Sequence, residues 1–484
     1  MKHHLLIVVT FFVATLTGVS QAPPDTLKVF DLDTYLTWVR AHHPVARQAN
    51  LLQAQAEAEQ LYARGEFDPK FYGNYDRKSF DGKDYYTVGE TGLSIPTWYG
   101  IDFKVSYNWT DGVFLNPEEQ LPVAGQAVAG VEIPLAQGLL FDMRRAQVKQ
   151  ANLLQTINEA TRRQILNDLL LDAIESYWNW SYAYYQMQVI ENALFFAQQR
   201  FEITRESYFQ GFKPAIDTIE SLIQVQIRQI ELNDAHIAYR NATLQLSNFL
   251  WYEQLIPLEV TPLLRPANLT FTPIPDVQRQ LELLQANLDI LHPDLIVLSL
   301  KQEQLAIKER LKLEYLKPKV TLKYNFLADG IDFFEEANNG RSEFGALWLE
   351  NYKFGVNASF PLWMRAARGD LQLVRLEMTD NQFKIRQKNL EINNKIEALS
   401  QELATTFQQI GTYQEVVANY QRLLDAENEK FRIGESSIFL LNTREQKLIE
   451  AQLKLLKLKA TYRKLEGKLQ WAGGATCLIK SAIS

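Results

Sequence analysis

Residues 139–210 read LLFDMRRAQVKQANLLQTINEATRRQILNDLLLDAIESYWNWSYAYYQMQVIENALFFAQQRFEITRESYFQ, seventy-two positions without a glycine or a proline. Those two residues break helices most strongly, and the run is otherwise rich in Leu, Gln, Ala, Arg and Glu. The stretch from Leu139 to Gln210 therefore spells one continuous helix. At about 1.5 Å per residue it is on the order of 100 Å long, several times the width of a small globular domain. It follows a strand-like segment ending at Ile133-Pro134-Leu135 and stops at Gly211 and Pro214, which turn the chain sharply. A rod of that length buries its apolar stripes against other rods, and the rest of the chain must supply them.

The chain ahead of the rod opens with a Lys2/His3/His4 head, an apolar run from Leu5 to Val19, and small or polar residues after it. This is the three-part layout of a secretory signal, expected to be cut near Ser20/Gln21; a retained N-terminal anchor is the alternative. No other apolar run reaches eighteen residues, so any membrane crossing by the mature chain has to use strands. Cys477 is the only cysteine, which excludes an internal disulfide and a Cys-based metal cage and leaves none after the signal to be acylated. The 50 basic and 57 acidic residues leave a charge of −7, which argues against nucleic acid as a partner.

Taken in order, Thr26 to Arg40 spells a short helix with Asp31 or Asp33 as its cap, and Pro44 to Glu66 an alanine-rich second helix. Strand patterns follow. Ile101, Phe103, Val105, Tyr107 and Trp109 alternate with Asp102, Lys104, Ser106 and Asn108. Val320, Leu322, Tyr324 and Phe326, then Phe354, Val356, Ala358 and Phe360, repeat that alternation, while Phe71–Asp76, Tyr85–Ile95 and Ala127–Pro134 carry it less clearly. Such strands suit a tilted membrane crossing or a half-buried soluble sheet alike. Past the rod, Thr218 to Trp251 forms a helix with two heptad columns on nearly opposite faces: Ile223, Ile230, Ile237, Leu244, and Val225, Leu232, Tyr239, Leu246. A helix with two such columns is flanked by neighbours on both sides. Tyr252 to Pro275 holds five prolines and reads as a linker.

The plan then restarts. His43-Pro44 recurs as His292-Pro293, Pro69-Lys70 as Pro318-Lys319 and Tyr75 as Tyr324, each displaced by 249 positions. Tyr208, Gly211, Tyr239 and Leu246 recur as Phe431, Gly434, Tyr462 and Leu469, displaced by 223. The chain is thus expected to be a tandem repeat whose first strand region is 26 residues the longer. The expected layout is a signal at 1–20, a first repeat at 21–251, the linker at 252–275, a second repeat at 276–470 and a tail at 471–484.

The doubled His-Pro segments, the Pro-Leu exits at Pro134-Leu135 and Pro361-Leu362, and the tips Tyr208-Phe-Gln-Gly211 and Phe431-Arg-Ile-Gly434 resemble, in their order and doubling, the TolC-like outer-membrane efflux and secretion channels. The resemblance runs from His43 to Leu469. It implies a mainly α chain with a membrane β-barrel: a homotrimer whose strands, four per chain, close one barrel in the outer membrane of a Gram-negative bacterium, continued by a long α-helical barrel into the periplasm. Four strands cannot close a barrel alone, since the smallest membrane barrels have about eight. The implied function is passive export, driven by an inner-membrane transporter of the RND or ABC type through a periplasmic membrane-fusion adaptor, with outer-membrane lipid as the surroundings.

The resemblance also implies that the helix tips converge to close the periplasmic mouth, with Asp217 in an acidic gate ring; capping the next helix is the plainer role for that residue. The second tip has Leu440 at the matching place. Gly211 and Gly434 serve the tip turns, and Tyr208 and Phe431 beside them join the surface where the adaptor docks. The first repeat offers two strands too many for the four-strand plan, an extra hairpin that enlarges the barrel, extends beyond the membrane, or is no hairpin at all. Ala328 to Tyr352 reads as a surface loop. The histidines lack metal-ligand spacing, and no nucleotide-binding loop or paired catalytic motif occurs, so neither an enzyme nor a cofactor is expected. Two rival functions stay open: an outer-membrane channel dedicated to type I protein secretion, and a soluble periplasmic coiled-coil scaffold or adaptor.

Overall fold

The computed structural model describes residues 28–269, 288–329 and 351–474. Its longest elements are two helices of almost equal length, α3 (Met143–Phe209, 67 residues) and α7 (Arg365–Arg432, 68 residues). Each has a return helix after its tip, α4 (Ala215–Ser247) and α8 (Ile438–Ala472). Each also has a 22-residue helix ahead of its strands, α2 (Pro44–Gly65) and α6 (Pro293–Glu314); α1 (Leu32–His42) and the one-turn α5 (Leu288–Leu291) are the other α-helices among the described residues. The first rod starts later than Leu139 because Asp142 is its N-cap, accepting the Arg145 N–H at 2.9 Å. Leu139 to Phe141 belong instead to the loop leaving the strands. The doubled His-Pro pairs are caps: Nδ1 of His43 accepts the Val45 N–H at 3.2 Å and Nδ1 of His292 accepts the Asp294 N–H at 3.3 Å, each with proline as the first helical residue.

The segment expected to be helical from Thr26 begins as a strand, β1 (Lys28–Phe30), and Asp31 then caps α1. Its partner lies in the stretch read as a linker, where β6 (Leu264–Pro266) runs parallel to it. The Tyr177 hydroxyl fixes both, donating to the Phe30 carbonyl at 2.8 Å and accepting the Ala267 N–H at 3.3 Å. The linker's end at Pro275, the start of the second repeat at 276, the signal and most of the tail and of the Ala328–Tyr352 loop lie outside the described residues.

α3 is the centre of the packing. Toward the strands it lies between α2 and α6, with α7 beyond α6; toward the tips it lies between α4 and α8, with α7 beyond α8. Four helices are thus side by side at every level, leaving α7 at one edge and α2 or α4 at the other. The deepest side chains, Trp180, Tyr177 and Tyr35, come from α3 and α1 where the two levels meet. Burying each contributes about 1.5 to 3 kcal/mol of hydrophobic stabilisation. Burial also drives the Tyr177 hydroxyl up to about 12, so it stays a neutral donor and acceptor.

Six strands form one antiparallel sheet: β2 (Lys70–Phe80), β3 (Lys83–Pro96), β4 (Asp102–Asp111), β5 (Gln126–Pro134), β7 (Lys319–Asp329) and β8 (Tyr352–Ser359), in that spatial order. The extra hairpin expected ahead of the first rod is present: β3 and β4 sit between β2 and β5, paired on both sides. Among the described residues of one chain the sheet is open, with β2 and β8 as its edges. Among the described residues no helix is long and apolar enough to cross a membrane.

Candidate channel wall and gate

Register divides the side chains of the sheet between two faces. Residues paired across strands share a face, so Phe71, Leu93, Val105, Ala129, Phe326 and Tyr352 form one row and Ile95, Phe103, Val131, Tyr324 and Phe354 another. Tyr75, Tyr107, Trp109, Ile133, Leu322 and Val356 lie on that same face. It is apolar and uncovered: Phe71 is 80% exposed, Val105 54% and Val356 52%. Two glycines, Gly73 and Gly89, lie on this face; at Gly89 an added Cβ would stand 2.1 Å from the Trp109 ring, so the indole lies against the glycine and fills that gap.

The opposite face is polar. Asn74, Glu90, Asn108 and Gln126 form one row; Asp102, Glu132 and Lys323 lie in another. Glu132 takes Lys104 at 3.1 Å and Lys323 at 3.5 Å, one carboxylate tying three neighbouring strands. A soluble sheet puts its apolar face on a core. This one turns it outward, with a ring of exposed anchors at the helical end, among them Trp98, Tyr99, Leu140, Leu362 and Trp363. The strand-to-helix exit there is held rigidly: Arg145, buried, donates to the Gly138 and Leu139 carbonyls and to Asp142, and Arg144 reaches back to Asp102 at 3.0 Å.

At the far end of the rods the two tips share one geometry. Gly211 has φ +77° and Gly434 φ +83°. The next N–H, of Phe212 or Glu435, bonds back to the carbonyl of Ser207 or Lys430, and the glycine N–H to that of Tyr208 or Phe431. Both are Schellman turns, and a left-handed residue at that place is why glycine stands there. The tips also touch: the Lys213 ammonium lies 4.3 Å from the centre of the Phe431 ring. Phe431 is half-buried, whereas Tyr208 is exposed beside Phe209 and Phe212. Asp217 is half-buried on the first turn of α4, three residues past the N-cap. That cap is Pro214, so the capping role read for Asp217 is not the one it fills. Leu440 stands at the same place on α8, three residues past its N-cap Ser437.

Above the tips, residues that spacing did not single out bolt the first hairpin to the second. Arg200 of α3 grips Glu445 of α8 with two hydrogen bonds, 2.8 and 2.9 Å, and Asn442 at 2.9 Å. Arg228 of α4, 1% exposed, meets Glu231 at 2.5 Å and also Gln446 of α8. The available signal was an arginine in a core column, since Ser221, Arg228, Ala235 and Ala242 recur every seven residues and all are buried.

Solved structures with this arrangement exist. The chain matches the Campylobacter jejuni CmeC outer membrane channel with a TM-score of 0.64 at 13% identity, over 98% of this chain and 94% of that one. The fold is that of the TolC-like outer-membrane channels. It also matches the outer-membrane channel OprN (TM-score 0.65, 12% identity, 92% of this chain and 90% of that). The open state of the Neisseria gonorrhoeae MtrE outer membrane channel is equally similar (TM-score 0.65, 13% identity, 92% and 89%). No family model matches the sequence, and no curated protein does. The likeness therefore lies in the backbone.

Proposed function

We propose that this TolC-like chain is one third of a passive outer-membrane export channel. Three copies close a β-barrel in the membrane and an α-helical barrel below it, and the conduit serves an inner-membrane transporter through a periplasmic adaptor. The observation that carries the reading is the six-stranded sheet, one uncovered face of which carries an apolar row from edge to edge, Phe71 to Tyr352, while polar rows cross the other. An apolar face in contact with lipid and a polar lumen is the pattern of a membrane barrel, and an open sheet cannot leave its edges bare in a bilayer.

The helices support the same assembly. Taking the halves as a tandem repeat, α4 residues Ile230, Ile237 and Leu244 correspond to Leu453, Ala460 and Gly467 of α8. The α8 residues face α3: Leu453 and Ala460 join clusters built on it, and a Cβ on Gly467 would meet Ile174 at 2.9 Å. On α4 the same column is uncovered, with Ile230 62% and Ile237 60% exposed. The partner that repeats the pattern is α7 of a second copy, which makes the contact head-to-tail and therefore ring-forming. The second heptad column expected of this helix, Val225 to Leu246, is the one packed inside the chain.

In that ring the tips meet around the axis, and Asp217 supplies one carboxylate per copy to the gate while Leu440 supplies an apolar layer. Gly211 and Gly434 with Tyr208 and Phe431 form the adaptor-docking tips. The test is reconstitution. Detergent-purified protein gives a trimer by native mass spectrometry and conducts ions in a planar bilayer. A soluble monomer in the periplasmic extract, without conductance, would reject the channel in favour of a scaffold.

A further inference from the structure

We infer that the β3–β4 hairpin is an inserted pair of barrel staves, so that three copies close a barrel of eighteen strands and the outer pore is half as wide again as four strands per chain would make it. The inference rests on the trimeric reading above and adds the bore.

Displacement between the two repeats falls from 249 to 223 across the strand region, an excess of 26 residues in the first copy. β3 and β4 with their connection, Lys83 to Asp111, span 29 residues, close to that excess and in its place. By the doubled landmarks, β2 corresponds to β7, each beginning at a Pro-Lys pair, and β5 to β8, each followed by a Pro-Leu exit. The inserted strands stand between β2 and β5. They lie in the wall, not on top of it. β3 pairs with β2 from Lys70↔Ser94 onward and β4 pairs with β5 from Asp102↔Glu132 onward, starting at the helical end of the sheet. A hairpin that only extended beyond the membrane would pair away from that end.

Chemistry agrees with register. Phe103, Val105, Tyr107 and Trp109 continue the apolar face, and Lys104, Ser106 and Asn108 continue the polar one. Lys104 shares Glu132 with Lys323, which stitches the insertion to the second repeat. An insertion of two strands keeps every later strand running in its original direction, so the rods still leave the wall at the same end.

Girth provides an independent check. With strands about 4.8 Å apart and tilted about 40°, eighteen make a ring about 36 Å across the backbone, and twelve make one about 24 Å across. Four helices side by side in each of three copies, spaced about 9 to 10 Å, make a ring about 36 Å across. Eighteen strands therefore meet the helical tube without a taper.

The experiment locates the seam between copies. In a Cys477→Ser background, Asn74→Cys on β2 or Asn108→Cys on β4 is combined with Asn357→Cys on β8, all on the polar face, and treated with a short bis-maleimide in outer membranes. Eighteen strands predict a covalent dimer and trimer ladder for the β2/β8 pair and none for β4/β8. A ladder from β4/β8, or none from β2/β8 in protein that native mass spectrometry shows to be trimeric, overturns the inference while leaving the channel standing. A monomer overturns both. Deleting residues 82–111, which returns the first copy to two strands, should narrow the barrel seen by electron cryo-microscopy by about one third; an unchanged width would also overturn it.

Discussion

The two halves of the molecule match closely in their helices and differ in their strands. The helices run 22, 67 and 33 residues in the first half and 22, 68 and 35 in the second. Four strands stand in the first half's share of the sheet and two in the second's. The contrast shows what each part must satisfy. A rod packed along its whole length beside another cannot gain or lose turns without exposing apolar surface, so its length is fixed by its neighbour. A sheet that alternates up and down accepts any even number of extra strands at no cost in direction. The tips follow the same logic on a smaller scale: the Schellman turns are alike because the turn needs them, whereas Asp217 and Leu440 differ because nothing in the backbone constrains them.

The largest expected effect tests how far the halves depend on each other. Arg200 and Glu445 are mostly buried, with side chains 14% and 9% exposed, and their counterparts in the opposite halves are Leu423 and Leu222. Glu445→Ala leaves a charge uncompensated and should cost about 3 to 5 kcal/mol, read as a lower unfolding midpoint in detergent. A loss under about 1 kcal/mol would mean the bolt behaves as a surface pair.

Next in size is the outward face of the sheet. In water an exposed valine accepts a charge within about 0.5 kcal/mol, whereas in lipid the same change costs about 2 to 4 kcal/mol. Val105→Arg in the inserted hairpin and Val356→Arg in the second half should therefore both destabilise the reconstituted channel, and Asn357→Arg on the polar face should not. If Val105→Arg alone were harmless, the two halves would not share one membrane wall.

Smaller is the pH response of the paired caps. Burial holds both His43 and His292 below the ordinary value of 6.5, and each must be neutral at Nδ1 to accept its N–H. A depressed histidine favours the folded state above the unfolded value and loses that advantage as pH falls through the folded one. Acidification from pH 7 to pH 5 should lower stability. Asparagine at both positions caps without titrating and should recover about 1 kcal/mol of the difference. Equal acid sensitivity in the variant would place the titration elsewhere.

The smallest effect concerns the proposed gate. Asp217→Ala should lower the cation-to-anion permeability ratio roughly two- to fivefold, the weight of about 0.5 to 1 kcal/mol between an ion and a water-screened carboxylate. Leu440→Asp should raise it. Single-channel recordings in which neither ratio moves would remove both residues from the permeation path.

Much of this fold was legible because it rests on local rules. The absence of glycine and proline from residues 139–210 defined the first rod, and alternation defined β4, β7 and β8. β1 and β6 escaped notice because three residues are too few to show a period. β3 was weak in sequence because Thr87, Gly89 and Thr91 sit on its apolar face, which Trp109 of the neighbouring strand covers. What spacing could not show is long-range pairing. Nothing in the chain marks β5 as the neighbour of β7, or sets Arg200 against Glu445 across 245 positions.

The bare edges of the sheet, β2 on one side and β8 on the other, have a kinetic meaning. Joining a second copy satisfies one edge of each but leaves the pair with two still open, as many as a lone copy has. Only the copy that completes the circle removes the last two together. In the proposed ring the first union thus relieves two edges and closure, counting the incoming copy's own pair, relieves four, so the closing step carries the larger gain and assembly is expected to be cooperative, with free subunits and closed rings as the abundant species.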